Sequence, residues 1–227
     1  MNEFVEIIYE TSSMPKDDWV DSYMFSVLLQ TFHHLGLLRY FAIYLHKEKG
    51  VDYYDFYNAL YDFIRQEANG FTHALFEDLI RRKHDLQTAD WTYQKDEFSS
   101  TGWYFEEGAF LELASHFEEF KAEIDPFLHS FGIEEELLAE LKNYQYSLIR
   151  QLDTDEVTVS SLYNFYAFFE DQTDAVKLTK KRSVLHIRSD SRYSNWADYA
   201  QHAIWFGKRY SATLMLNPKE HITYSEE

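Results

Sequence analysis

The sequence predicts a mainly α-helical chain of the α+β class, a bundle-like helical body with a short N-terminal strand and a small C-terminal β element plus helix. Three observations predict it. Only 7 Gly and 3 Pro punctuate 227 residues, and these are the usual breakers of regular structure. Apolar residues recur at helical spacing as far as Arg150. β-branched, alternating segments cluster after that point. The chain also holds 18 Tyr, 19 Phe and 5 Trp, large rings whose burial argues against disorder.

Phe4 to Tyr9 reads as a short strand, and Thr11, Ser12 and Ser13 as a turn. Pro15 suits a first helical position, and Asp17 and Asp18 complement the positive end of the helix dipole. Trp19, Val20, Tyr23, Met24, Val27 and Leu28 then set a helical period. Gly36 breaks or kinks it. A second helix runs from about Leu37 to Lys49 and stops at Gly50. Asp52 caps a third, ending near Gly70, and Thr72 caps a fourth that ends in Arg81, Arg82 and Lys83. Residues 85–102 read as a loop. A helix is expected from Tyr104 to Lys121, a short one opened by Asp125-Pro126 and ending near Gly132, and another from Glu134 to Arg150. Val157–Val159, Val176–Leu178 and Ser183–Arg188 are β-like, with Leu185 and Ile187 opposite Val184, His186 and Arg188. Asn195–Arg209 reads as a last helix, Ala212–Leu216 as a last strand, and the tail from Asn217 as loose. One domain is expected, with a helical body over 1–152 and a smaller α+β part over 153–227.

The formal net charge is −18, split into −22 over residues 1–175 and +4 over 176–227. A chain this acidic lacks the basic footprint of a nucleic-acid binder. No apolar run is long enough for a membrane span, and the acidic N-terminus is unlike a secretory signal. The expectation is a cytoplasmic protein. The absence of cysteine excludes disulfides, thiol catalysis, zinc–thiolate sites and cysteine-ligated clusters within this chain.

His33-His34 with His46 invites a metal reading, but adjacent histidines diverge by ~100° on a helix and do not chelate together. Packing or surface polarity is the stronger expectation. Glu112, His116 and Glu119 share one face of a continuous helix at spacing that can ligate metal; a solvated acidic face is again favoured. A stand-alone helical metal-binding protein or enzyme using either set is the alternative function. No nucleophile elbow and no glycine-rich phosphate loop occurs. The basic stretch Lys177–Arg182 is expected to dock on the acidic body or to guard a sheet edge. The aromatic runs Tyr53–Tyr57 and Tyr163–Phe169 are expected to be core.

Glu6–Trp19 (EIIYETSSMPKDDW), Phe25–Tyr40 (FSVLLQTFHHLGLLRY) and Trp196–Arg209 (WADYAQHAIWFGKR) together resemble the C-terminal region of cobalamin-binding-domain radical S-adenosylmethionine proteins. Tyr53–Tyr57 suits the same region. In that family a cobalamin-binding domain precedes a barrel core, whose Cys-x-x-x-Cys-x-x-Cys triplet holds a [4Fe–4S] cluster that cleaves S-adenosylmethionine. This chain has no cysteine, so no catalytic or cofactor residue carries over. Cobalamin, S-adenosylmethionine and the cluster would belong to a core outside it. The resemblance implies a non-catalytic accessory or substrate-side role, in complex with a catalytic core or as a fragment of one, with a catalytic-core protein or a second copy of the chain as partner. No residue is assigned to catalysis or to metal. The candidate ligand or partner site is Arg39, Tyr40, Trp205 and Arg209, which pair aromatics with guanidinium groups able to grip an anion.

Overall fold

The computed structural model describes residues 8–67, 69–85, 92–189, 191–205 and 221–227. The fold is mainly α with a small β element. Helix α1 spans Lys16–Leu29 and runs into a π-helical turn, Gln30–His34, closed where Leu35 N–H donates to Gln30 O at 2.8 Å. Helix α2 (Arg39–Lys49) ends at Gly50, whose φ of 68° is the left-handed terminator expected there. Asp52 caps α3 (Tyr53–Asp62) by accepting from Tyr54 N–H, as predicted, and α3 too passes into a π-turn. Helices α4 (Phe71–His84), α5 (Phe105–Ser115), α6 (Phe117–His129) and α7 (Glu135–Ser147) complete the body. Helix α1 packs on α3, α4 and α5, α2 packs on α7, and α6 packs on α4 and α5.

The C-terminal part supplies β1 (Glu156–Ser161), the short α8 (Phe165–Glu170), β2 (Ser183–Arg188), the single turn α9 (Trp196–Tyr199) with a π-turn over Ala200–Trp205, and β3 (His221–Glu226). The strands form an antiparallel sheet with β2 in the middle, Leu185 facing Val159 on one side and Tyr224 on the other. Leu185 and Ile187 are buried while Val184, His186 and Arg188 face outward, as the alternation predicted. One apolar cluster runs through body and C-terminal part, from Val20 and Phe32 to Leu185 and Ile204. Lys180 bonds Glu136 on α7, and Lys181 bonds Glu226 on β3. The basic stretch thus meets both the acidic body and a neighbouring strand. No described helix is long and apolar enough to cross a membrane.

The fold departs from expectation at several points. The helix predicted over Tyr104–Lys121 breaks at His116, where φ is −108° and ψ 42°. The His116 ring stacks on Phe71 at 4.2 Å and its Nδ1 lies 3.1 Å from Glu112 O, so packing against α4 overrides a continuous helical pattern. Pro126 opens no helix; it lies inside α6, whose buried Phe120, Ile124 and Phe127 keep one stripe against the core. Thr72 does not cap α4. The Glu123 carboxylate of α6 does, accepting from Gly70, Thr72 and His73 N–H at 3.0, 2.7 and 3.1 Å. Residues 176–178 form no strand, because side chains take their backbone groups. Asp171 Oδ2 accepts from Val176 N–H, and the Asn164 amide donates to Lys177 O and accepts from Thr179 N–H. From His221 the tail is not loose, since β3 pairs along β2, while residues 217–220 lie outside the described residues. Of the expected N-terminal strand only residues 8 and 9 are described, and they are irregular. Ala212–Leu216 lies outside the described residues.

Candidate functional site

The site residues come from three successive pieces of chain. The π-turn after α1 carries one more residue per turn than an α-helix, a departure often found at functional sites. It places Gln30, His33 and His34 at the mouth of a cleft. Arg39, at the start of α2, fixes the turn from behind: Nε donates to His33 O at 2.8 Å and Nη2 donates to His34 O. These carbonyls end a helix and have no intrahelical donor. Asp52 then starts α3, so that Tyr53, Tyr54 and Tyr57 of its first turns close the other wall.

The cleft holds about 600 Å³ and is lined by Phe25, Leu29, Gln30, His33, His34, Ile43, Tyr53, Tyr54 and Tyr57. His33 Nδ1 lies 2.7 Å from the Tyr57 hydroxyl. With the phenol donating, the second ring nitrogen, Nε2, carries the imidazole hydrogen. Tyr53 stacks on His46 with centroids 4.4 Å apart and meets His33 edge-on at 5.8 Å. Phe25 and Tyr54 approach to 5.9 Å, with Tyr54 63% exposed at the rim.

The electrostatics leave this cleft without charge at neutral pH. Burial, with the Arg39 guanidinium behind it, brings His33 down to about 4. The same two causes lower His34. Burial raises both Tyr53 and Tyr57 above the ordinary phenol value. Two neutral imidazoles and protonated phenols line an otherwise apolar wall, an arrangement that can donate and accept hydrogen bonds but offers no counter-ion.

Of the four residues picked from the sequence, only Arg39 and Tyr40 are described with their side chains. Arg39 spends its Nε and Nη2 on backbone carbonyls. Tyr40 is buried, with Tyr144 and Phe169 rings 5.2 and 4.8 Å away and its N–H on Gln145 Oε1. Trp205 ends the last π-turn, its side chain outside the description, and Arg209 lies outside the described residues. In the second candidate set Glu112 and His116 stay together, His116 Nδ1 lying 3.7 Å from Glu112 Oε2, and Glu119 falls away. Glu112 is buried and accepts from Tyr93 Oη at 2.5 Å and from Lys95 Nζ at 3.0 Å. Glu119 is exposed beyond the break at His116. Among the described residues no group of metal-ligating side chains is placed to hold an ion. Sequence reasoning singled out the two histidines and took Tyr53–Tyr57 as core, which holds for Phe56 and Tyr57 but not for the exposed Tyr54. The signal in that run was Tyr53 and Tyr57 at i, i+4, which share a helical face.

No family model matches the sequence. Over 146 residues, 58% of this chain, it is 27% identical to the cobalamin-dependent radical SAM methyltransferase TokK of Streptomyces tokunonensis. Over 170 residues, 67% of this chain, it is 23% identical to the 2-(S-pantetheinyl)-carbapenam-3-carboxylate methyltransferase of Streptantibioticus cattleyicolor. These matches cover 21% and 25% of those proteins, so the chain spans only a fifth to a quarter of the curated relatives it matches. It is similar, over part of its length, to one part of a cobalamin-dependent radical SAM methyltransferase.

Proposed function

We propose that this chain is a non-catalytic, substrate-side part of a radical S-adenosylmethionine system, acting in complex with a catalytic core or as a fragment of one. The observation that carries this is the uncharged aromatic cleft at the junction of α1, α2 and α3. An accessory piece needs such an apolar face toward a substrate or core, and a uniformly polar surface would have counted against it. The partial similarity to a radical SAM methyltransferase supports the same role. The donor set does not fit a [4Fe–4S] cluster, which needs thiolates, and the chain contains no cysteine. The cluster, cobalamin and S-adenosylmethionine are therefore assigned to the core, and no reaction step is assigned to this chain.

The test is turnover by the purified chain after anaerobic reconstitution with iron and sulfide, followed by S-adenosylmethionine and dithionite. The expected outcome is neither 5′-deoxyadenosine nor S-adenosylhomocysteine above the protein-free control. Either product, lost on His33→Ala or His116→Ala, sinks the accessory role. Mixing with a separately expressed cobalamin- and cluster-binding core is expected to give a complex that protects the Tyr53 and Tyr54 region from hydrogen exchange.

A further inference from the structure

We infer that the cleft between the π-turn, α2 and α3 binds a small uncharged ligand carrying a flat unsaturated ring and a hydrogen-bond acceptor. The ligand class rests on the substrate-side role of the cleft. It fails on the titration below, whereas the accessory role fails on turnover by the chain alone.

Size comes first. About 600 Å³ lies inside the roughly 300–1,000 Å³ range of small-molecule sites. The absence of charge narrows the choice. A quarter of the chain, 26%, is Asp, Glu, Lys or Arg, yet none of these lines the cleft. An ion moved from water into that wall would lose hydration and gain no counter-charge. The groove between α6 and α7, about 810 Å³, is the contrast. It is lined by Lys121, Lys142, Glu118 and Asp125, already joined as Lys121–Glu118 and Lys142–Asp125 pairs. Charge is the norm on this surface, and the cleft departs from it.

The rings set the shape of the ligand. Phe25 meets Tyr54 and His33 meets Tyr53 with centroids 5.9 and 5.8 Å apart, all four line the cleft, and ring contacts of this kind favour another ring by about 0.5–1.5 kcal/mol each. The polar handle is the His33 imidazole. Tyr57 holds Nδ1 and fixes the ring; with the phenol donating, Nε2–H is the donor left for a carbonyl or hydroxyl oxygen. Its low basicity, about 4, keeps it a neutral donor across the physiological range.

The experiment uses one ring with three charges: benzyl alcohol, benzylamine and phenylacetate, each titrated into the full chain and followed by NMR of the histidine and tyrosine ring signals. Benzyl alcohol is expected to shift His33, His34 and Tyr53 saturably, with the two ions about tenfold weaker or more. Tyr54→Ala alters an exposed side chain, so its melting temperature should hold while benzyl alcohol binds several-fold more weakly. Gln30→Glu, also exposed, is expected to improve benzylamine alone. Equal binding of the ions, no saturable shift, or shifts confined to other regions would overturn the assignment. So would cleft signals that move with protein concentration in the absence of ligand, which would mark a contact between copies.

Discussion

The His33 cleft and the Glu112 node are two arrangements of titratable side chains with opposite outcomes. In the node, a buried carboxylate is saturated: Tyr93 and Lys95 donate to Glu112, and Lys95 also reaches Glu97. In the cleft, Arg39 holds backbone carbonyls and Tyr57 takes only Nδ1 of His33, which leaves both imidazoles lining open volume. Titratable side chains at suggestive spacing thus do not make a site. What matters is whether the partners that hold them also use up their hydrogen-bonding capacity.

The comparison breaks most easily at the node. Glu112→Ala removes the acceptor of a buried phenol and of a lysine, and is expected to cost about 3 kcal/mol, read from urea denaturation. A loss below about 1 kcal/mol would mean that the node is decorative. Gly108→Ala probes the same node from its backbone. A Cβ there would meet the Tyr93 ring at 2.5 Å, and Gly108 lies on the Glu112 face of α5. Only glycine lets Tyr93 cross the helix and reach the carboxylate. We expect about 2–3 kcal/mol from the forced overlap, with Tyr93 displaced.

How far the sequence foretold these two regions follows from where the information lies. The stop at Gly50, the Asp52 cap and the alternation along β2 depend on neighbours in the chain, and they were readable. The break at His116 depends on Phe71, and the Tyr57–His33 contact joins residues 24 apart. No local period encodes either. Strand β3 was missed because its side chains are mostly exposed. It is held by backbone pairing with β2, and its apolar alternation is only two residues long, Ile222 and Tyr224. The two histidines were visible as a motif, but their use as a neutral wall required α3 to fold across them.

Smaller effects are expected at the cleft. Arg39→Ala removes the donors to two carbonyls, for about 1 kcal/mol, and takes a positive charge from behind both imidazoles. The His33 titration midpoint should rise from about 4, as NMR would show; a midpoint that stays put would leave burial as the sole cause. The smallest effect is on the pH dependence of stability. In the unfolded chain His33 takes up its proton near the ordinary value of 6.5, and in the folded chain near 4. Between those values the unfolded state binds more protons, so stability falls as pH drops through that window. His33→Gln should flatten this part of the profile. An unchanged slope would place the sensitivity elsewhere.

The Glu123 carboxylate that closes the start of α4 has a consequence for how the chain comes together. It stands 51 residues beyond the Thr72 amide it receives. While the polypeptide is being made, α4 exists for many residues with its first turn open to water and prone to fray. Only when α6 arrives are those amides sheltered. Hydrogen exchange at Thr72 and His73 therefore times the docking of the two helices. A mutation that slows exchange elsewhere but not there would reveal a body assembled in pieces rather than as one cooperative unit.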